Sequence, residues 1–225
     1  MPPSTRPATL LLVRHAETVH NMQKRLSGWT DTDLSPKGVQ QTKLLADHVN
    51  RAHGHAAAVY ASPLMRARKT GEAIATLTGH AVELLDDLRE MHFGDLEGRP
   101  MEELREMYSH VLHADEDDEA HDFGWPNGET RQEFSTRVLR VMNHIAAAHP
   151  GQTACVVTHG GVIAVFLTII HNEPASRWRR WVGPNASLTE VLWDPGTRHG
   201  ELLRNGDAAH LAELTASETA TAKNA

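Results

Sequence analysis

Cysteine is nearly missing from this chain: of its 225 residues only Cys155 carries a thiol. A single thiol closes no internal disulfide, so the fold must stand on its core, and a reducing compartment is expected. Long apolar runs are missing too. No stretch approaches the ~18–20 residues that cross a bilayer as a helix. The opening MPPSTRPATL holds one arginine and no apolar segment of the kind a secretory signal needs. Positive charge is in deficit, 22 Lys and Arg against 29 Asp and Glu, for a formal net charge of −7. That balance offers no broad basic face, so neither nucleic acid nor membrane is expected as a partner. The cytoplasm is the expected setting.

Histidine, by contrast, is plentiful. Sixteen are present, yet neither an H-E-x-x-H pattern nor a Cys/His quartet occurs, so no metal and no cofactor are expected. Most of these histidines stand singly in polar stretches. His15 and His159 do not: each stands at the end of a largely apolar run, one residue past it.

The apolar pattern alternates between strand and helix. Residues 10–13, 58–61, 81–85 and 153–158 read as short buried strands. Between them, Ser35 and Pro36 open a helix with Val39, Thr42, Leu45, Ala46 and Val49 at helical spacing. Ser62 and Pro63 repeat that start, with Leu64, Ala67, Ile74 and Leu77 on one face and Gly79 as the stop. Phe134, Val138, Val141, Ile145 and Ala148 make a third stripe before Pro150 and Gly151, and residues 161–170 are apolar all round. Two closing segments, 186–194 and 200–206, read as an antiparallel pair. The expected architecture is α/β with a largely parallel sheet. Residues 86–126 interrupt the rhythm, with a helical stretch at 102–108 and an acidic run at 115–119 that reads as a solvated loop. The chain is expected to form one domain over 1–225. It would have a core at about 8–206, a lid-like insertion at about 86–126 and flexible tails.

Three strand ends carry basic chemistry. Arg14 and His15 end the first strand, Arg66 lies in the turn after the second, and His159 follows the strand at 153–158. Ligands of open α/β sheets bind at the carboxyl ends of strands, and helix N-termini there favour anions. An acidic protein that gathers cations in one crevice predicts an anionic ligand, read here as a phosphoryl group.

The same segments resemble the histidine phosphatase superfamily, and within it the phosphoglycerate-mutase-like branch of small phosphatases. The resemblance rests on LVRHAET (12–18) with Asn21, SGWTDTDLSPKG (27–38), ASPLMRARKT (61–70), LREMHFGDLEG (88–98) and VTHGGVI (157–163), in that order. It implies a three-layer α/β/α sandwich around a mostly parallel mixed sheet. It also implies that His15 is a nucleophile forming a phosphohistidine and that Arg14 and Arg66 grip the phosphate. His159 would be the second histidine of the pocket. Glu90 would be the acid that protonates the leaving oxygen, with Asp86, Asp87, Asp95 and Glu97 as neighbouring alternatives. Asn21, Ser27, Gly28 and Gly160 would line the substrate pocket.

Guanidinium forks match phosphate oxygens bidentately, and phosphoryl transfer asks mainly for positioning and charge stabilisation. The nucleophile must be a neutral imidazole, while His159 is expected to serve as a charged donor. The implied activity is a metal-independent phosphomonoesterase acting on a small phosphorylated metabolite. A phosphoglycerate mutase or a non-catalytic phospho-ligand-binding protein is the alternative. Departures from the mutase pattern favour the phosphatase: Phe93 replaces a tyrosine, GGVI follows His159 in place of Gly-Asn-Ser, and the Pro-rich substrate segment is missing. Ala16, where glycine is usual, is a change the turn is expected to tolerate. Oligomeric state stays open; Trp178 and Trp181 are read as packing within the domain.

Overall fold

Why the first strand is apolar throughout follows from its place in the sheet. In a computed structural model, which describes residues 6–108 and 123–214, β1 (Ala8–Arg14) lies inside a six-stranded sheet. The other strands are β2 (Ala58–Ala61), β3 (Val82–Leu84), β4 (Thr153–Thr158), β5 (Leu188–Asp194) and β6 (His199–Asp207). Their order is β3-β2-β4-β1-β5-β6. The pairs β2/β3, β2/β4 and β1/β4 are parallel, and β1/β5 and β5/β6 are antiparallel.

Helices cover both faces, giving the three layers expected. Helices α2 (Pro36–His53) and α3 (Met65–Thr78) lie on one side, and α5 (Arg131–Ala148) and α6 (Gly160–Ile170) on the other. The short α1 (Val19–Met22) and α4 (Met101–Met107) belong to the loops around the site described below. Leu10 and Leu12 of β1 pack with Val138 and Ile145 of α5 and Phe166 of α6. Leu11 and Val13 turn to the opposite core, with Leu45 and Val49 of α2 and Ile74 of α3. A strand buried on both faces has no solvent side to make polar. Each such side chain contributes about 1.5–3 kcal/mol, so β1 is a rigid mount for whatever stands at its end. Cys155 sits in the second core, where burial pushes its thiol up to about 12.

Several local expectations need correction. Helix α3 starts at Met65 with Leu64 as its N-cap, so Ser62 is not its cap. Val39, 46% exposed, lies off the buried line of α2, which runs through Gly38, where a Cβ would overlap the Glu17 carbonyl. Leu77 and Ala148 are also exposed. The buried stripes instead include polar residues: Gln41 on α2, Arg66 and Thr70 on α3, and Arg137 on α5. Strand β3 is shorter than 81–85 and lies at the sheet edge, with Glu83 and Leu84 exposed.

The segment from residue 86 is not a detached lid over its described length. Leu88, Met91, Leu96, Leu104 and Trp125 join the core cluster of Leu10 and Leu12. The acidic run 115–119 and most of both tails lie outside the described residues. Among the described residues no helix is long and apolar enough to cross a membrane.

Candidate active site

Strand β4 lies between β1 and β2, which brings the carboxyl ends of all three together. His15 leaves β1 with its amide still bonded to the Thr158 carbonyl at 2.9 Å. Its ring is buried, and Nδ1 lies 2.7 Å from the Ala16 carbonyl. A carbonyl only accepts, so Nδ1 carries the proton and the neutral ring presents its lone pair at Nε2. Burial, then the charges of Arg66 and Arg14, hold the His15 pKa well below the usual imidazole value. The ring is therefore neutral at neutral pH.

The two arginines are placed by backbone carbonyls. Arg66, in the first turn of α3, donates from Nη2 to the Gly28 carbonyl (2.6 Å) and from Nη1 to that of Thr30 (3.1 Å). Desolvation lowers its pKa to about 10, so it keeps its charge at neutral pH. Gly28 has φ +52°, and a Cβ there would overlap the Glu97 carboxylate. Glu97 in turn accepts from the amides of Trp29 (2.8 Å) and Thr30 (2.6 Å). The 27–30 loop is thus held by Arg66 on one side and Glu97 on the other. Arg14 donates from Nη1 to the Gly183 carbonyl at 2.6 Å, and burial lowers its pKa while Glu90 opposes that shift.

His159 is the N-cap of α6 and is fully buried, its ring centroid 5.1 Å from that of His15 at 60°. Its Nε2 is 2.8 Å from the Ser62 hydroxyl. Desolvation first, and then Arg66, hold its pKa well below the usual value. Burial beside an arginine thus favours a neutral ring at His159 in the ligand-free site, in place of the charged donor expected from the sequence.

Glu90 accepts from the Gly161 amide through Oε2 (3.0 Å) and from the Met91 amide through Oε1 (3.0 Å). A Cβ on Gly161 would overlap this carboxylate, and one on Gly160 would press to 3.2 Å on the Arg14 guanidinium. The paired glycines thus admit two of the site's own side chains. The alternative acids point elsewhere. Asp86 pairs with Arg89, Asp87 with Arg140, Asp95 accepts from Asn127, and Glu97 holds the 27–30 loop.

These residues face a cavity of about 830 Å³. Of the nine residues singled out from the sequence, eight line it: Arg14, His15, Asn21, Ser27, Gly28, Arg66, Glu90 and Gly160. His159 does not; its ring lies against His15 without reaching the cavity wall. Asn21 closes a capping box with Thr18, and its Oδ1 also accepts from Asn185 Nδ2 at 3.2 Å. Asn185 Nδ2 reaches the His15 carbonyl as well, at 3.1 Å. Ser27 lies 3.4 Å from the His20 ring. Met91, Phe93, Trp125, Phe134 and Trp178 supply an apolar wall. Trp181 packs within the chain, stacked on His171.

Sequence reasoning missed Ser62, Asn185 and Arg137. Only Arg137 left a signal: it falls on the apolar stripe of α5, three residues after Phe134. Among the described residues, five buried side-chain polar atoms lack a hydrogen-bond partner, and three belong here: Arg14 Nε, Arg66 Nε and His159 Nδ1. Orphaned buried donors are rare and call for a ligand or a function. No three His, Cys, Asp or Glu side chains among the described residues converge as a metal-ligand set.

The two buried imidazoles carry a consequence for stability. Their folded pKa values lie below 6.5, so below that pH the unfolded chain takes up protons that the folded chain refuses. Stability is complete above pH ~7 and falls as the pH drops, by up to about 1.4 kcal/mol per pH unit for each ring. Urea unfolding should therefore show a loss of about 2–3 kcal/mol between pH 7.5 and 5.5. A flat profile over that interval would contradict neutral burial of His15 and His159.

An α/β sheet covered on both faces, with one buried and one half-buried arginine, two neutral imidazoles and a carboxylate at adjacent strand ends, defines an enzyme of the phosphoryl-binding class. The chain belongs to the histidine phosphatase superfamily (branch 1), whose family model matches residues 10–206. It is 31% identical over 181 residues to the uncharacterized phosphatase PhoE of Bacillus subtilis, covering 80% of this chain and 86% of that one. It is 33% identical over 175 residues to a metal-independent phosphoserine phosphatase of Arabidopsis thaliana, covering 75% of this chain and 71% of the relative. Among solved structures, a phosphoserine phosphatase variant of Entamoeba histolytica in complex with phosphoserine superposes with a TM-score of 0.79. The two share 25% identity over 91% of this chain and 99% of that one.

Proposed function

We propose that the protein is a metal-independent phosphomonoesterase that hydrolyses a small phosphorylated metabolite through a phosphohistidine on His15. The observation that carries this reading is a neutral imidazole with its Nε2 lone pair free, beside two arginines whose buried Nε atoms lack partners. Arg14 and Arg66 bind the phosphoryl oxygens. Nε2 of His15 attacks phosphorus in line as the bond to the ester oxygen breaks, and Glu90 gives its proton to the departing alkoxide. Glu90 then takes a proton from water, whose oxygen attacks the phosphohistidine; inorganic phosphate leaves and His15 is restored. The charge that develops is met by guanidinium groups fixed beforehand, which is where such a site lowers its barrier. His159 backs the nucleophile as a neutral ring.

The phosphoserine phosphatases among its relatives support a metabolite-sized substrate. A cavity of about 830 Å³ with Met91, Phe93, Trp125 and Phe134 on its wall has room for an alcohol with a carbon-rich body. The cytoplasm is the setting proposed, in keeping with a single buried thiol.

A panel of metabolite phosphate esters, assayed with and without a chelator, tests the reading. Release of inorganic phosphate at a rate the chelator leaves unchanged is expected. Transfer of the phosphoryl group to a phosphoglycerate without free phosphate would make the enzyme a mutase. Binding of esters without turnover of any would make it a non-catalytic phospho-ligand-binding protein.

A further inference from the structure

Glu90 sits on a segment that no helix or strand holds, since residues 89–93 lie between two 3-10 turns. The carbonyls that lead up to it, from Asp87 to Glu90 itself, are nevertheless all engaged by side chains. Arg137 of α5 donates from Nη1 to the carbonyls of Asp87 (2.8 Å) and Arg89 (2.7 Å), and from Nη2 to that of Glu90 (2.9 Å). Thr158 Oγ1 of β4 donates to the Leu88 carbonyl at 2.7 Å, and Trp29 Nε1 to that of Glu90 at 2.7 Å. Four consecutive carbonyls, 87 to 90, thus find their donors on three other parts of the fold.

Arg137 is itself fixed. Its Nε and Nη2 donate in parallel to the two oxygens of Glu129, both at 2.7 Å. With the three carbonyls, that uses all five N–H donors of a buried guanidinium. Glu129 continues the clamp past Glu90: its Oε2 accepts from the His92 amide at 2.8 Å, and its own amide donates to the His92 carbonyl at 2.9 Å. The backbone is therefore gripped on both sides of the carboxylate. Arg137 does not line the cavity, so its hydrogen bonds reach the reaction through the segment that carries Glu90.

We propose that Arg137, held by Glu129, is a positioning residue that sets the Glu90 carboxyl where it protonates the leaving alkoxide. The inference rests on the reaction proposed above. A planar fork with five donors can meet three carbonyls and a carboxylate at once; a lysine ammonium, with three donors at one point, cannot. A proton donor displaced by about an ångström loses most of its effect, because transfer needs hydrogen-bond reach in the transition state.

The test is Arg137→Lys assayed on two esters: an alkyl phosphate, whose alkoxide needs a proton to leave, and 2,4-dinitrophenyl phosphate, whose phenolate leaves without one. For the alkyl ester kcat/KM is expected to fall about 100-fold, and for the dinitrophenyl ester less than about threefold. Glu90→Gln should reproduce this split, and adding Arg137→Lys to it should cause no further loss on the alkyl ester. Equal losses on both esters, or none on either, would overturn the proposal. Should Arg137→Lys not fold, Glu129→Gln, which frees one side of the fork while keeping its shape, is judged by the same ratio. If the wild-type protein turns over neither ester, it is the phosphatase reading that fails, not the clamp.

Discussion

His15→Ala is expected to lose turnover of every phosphate ester by about 10⁴-fold or more, the scale on which removal of a covalent nucleophile acts. Among the described residues that line the cavity, no other presents a free imidazole nitrogen. His159 is fully buried, and one of its nitrogens faces the Ser62 hydroxyl at 2.8 Å. The variant should still fold, because the strand that carries position 15 is held by its leucines and by backbone pairing to β4 and β5. A second readout separates loss of the nucleophile from general damage. Quenching the wild-type reaction in alkali should trap phosphate on the protein, since phosphohistidine is labile in acid and survives base. The same quench of His15→Ala should trap none. Wild-type activity in that variant would remove the covalent mechanism altogether.

Arg66→Ala is the next largest effect expected, a loss of about 10³-fold in kcat/KM, or about 4 kcal/mol of transition-state stabilisation. Two consequences combine. The phosphoryl group loses a buried guanidinium whose Nε has no partner within the protein. The 27–30 loop also loses the donor that holds the carbonyls of Gly28 and Thr30. Arg66→Lys should recover part of the charge but not the fork, and so fall between the two. Arg66 is also the largest charge lowering the pKa of both His15 and His159. Its removal should raise both histidine pKa values, measurable by NMR titration of the imidazole protons. Unmoved histidine pKa values in Arg66→Ala would show that burial alone keeps the rings neutral.

Most of the site was legible along the chain because its residues stand at punctuation marks. Arg14 and His15 interrupt an apolar strand, Arg66 follows a strand and a Pro turn, and His159 with its two glycines ends another strand. Each is a local contrast that the fold preserves, and eight of nine residues so found line one cavity. Glu90 was legible only through its motif, since the acids around it look alike in sequence. The structure separates them by partner: an arginine, an asparagine or a loop for the others, the Gly161 amide for Glu90. Ser62 read as a helix cap because Ser-Pro is a good helix start. The His159 ring faces its hydroxyl instead, and the helix begins three residues later.

What the sequence by itself determined is the set of elements and the chemistry placed at their ends. An apolar run must be buried, and a basic pair at its end must lie where the burial stops. Hydrophobic periodicity is local, so it survives reading in one dimension. Only the tertiary structure decided the order β2-β4-β1, which draws strand ends more than 90 residues apart in the chain into one crevice. It also decided protonation, because burial and two neighbouring arginines, not residue type, keep both imidazoles neutral. The anchoring of Glu90 was likewise out of reach of pattern. Its segment has no periodicity of its own, and its carbonyls are held by an arginine 47 residues further along the chain.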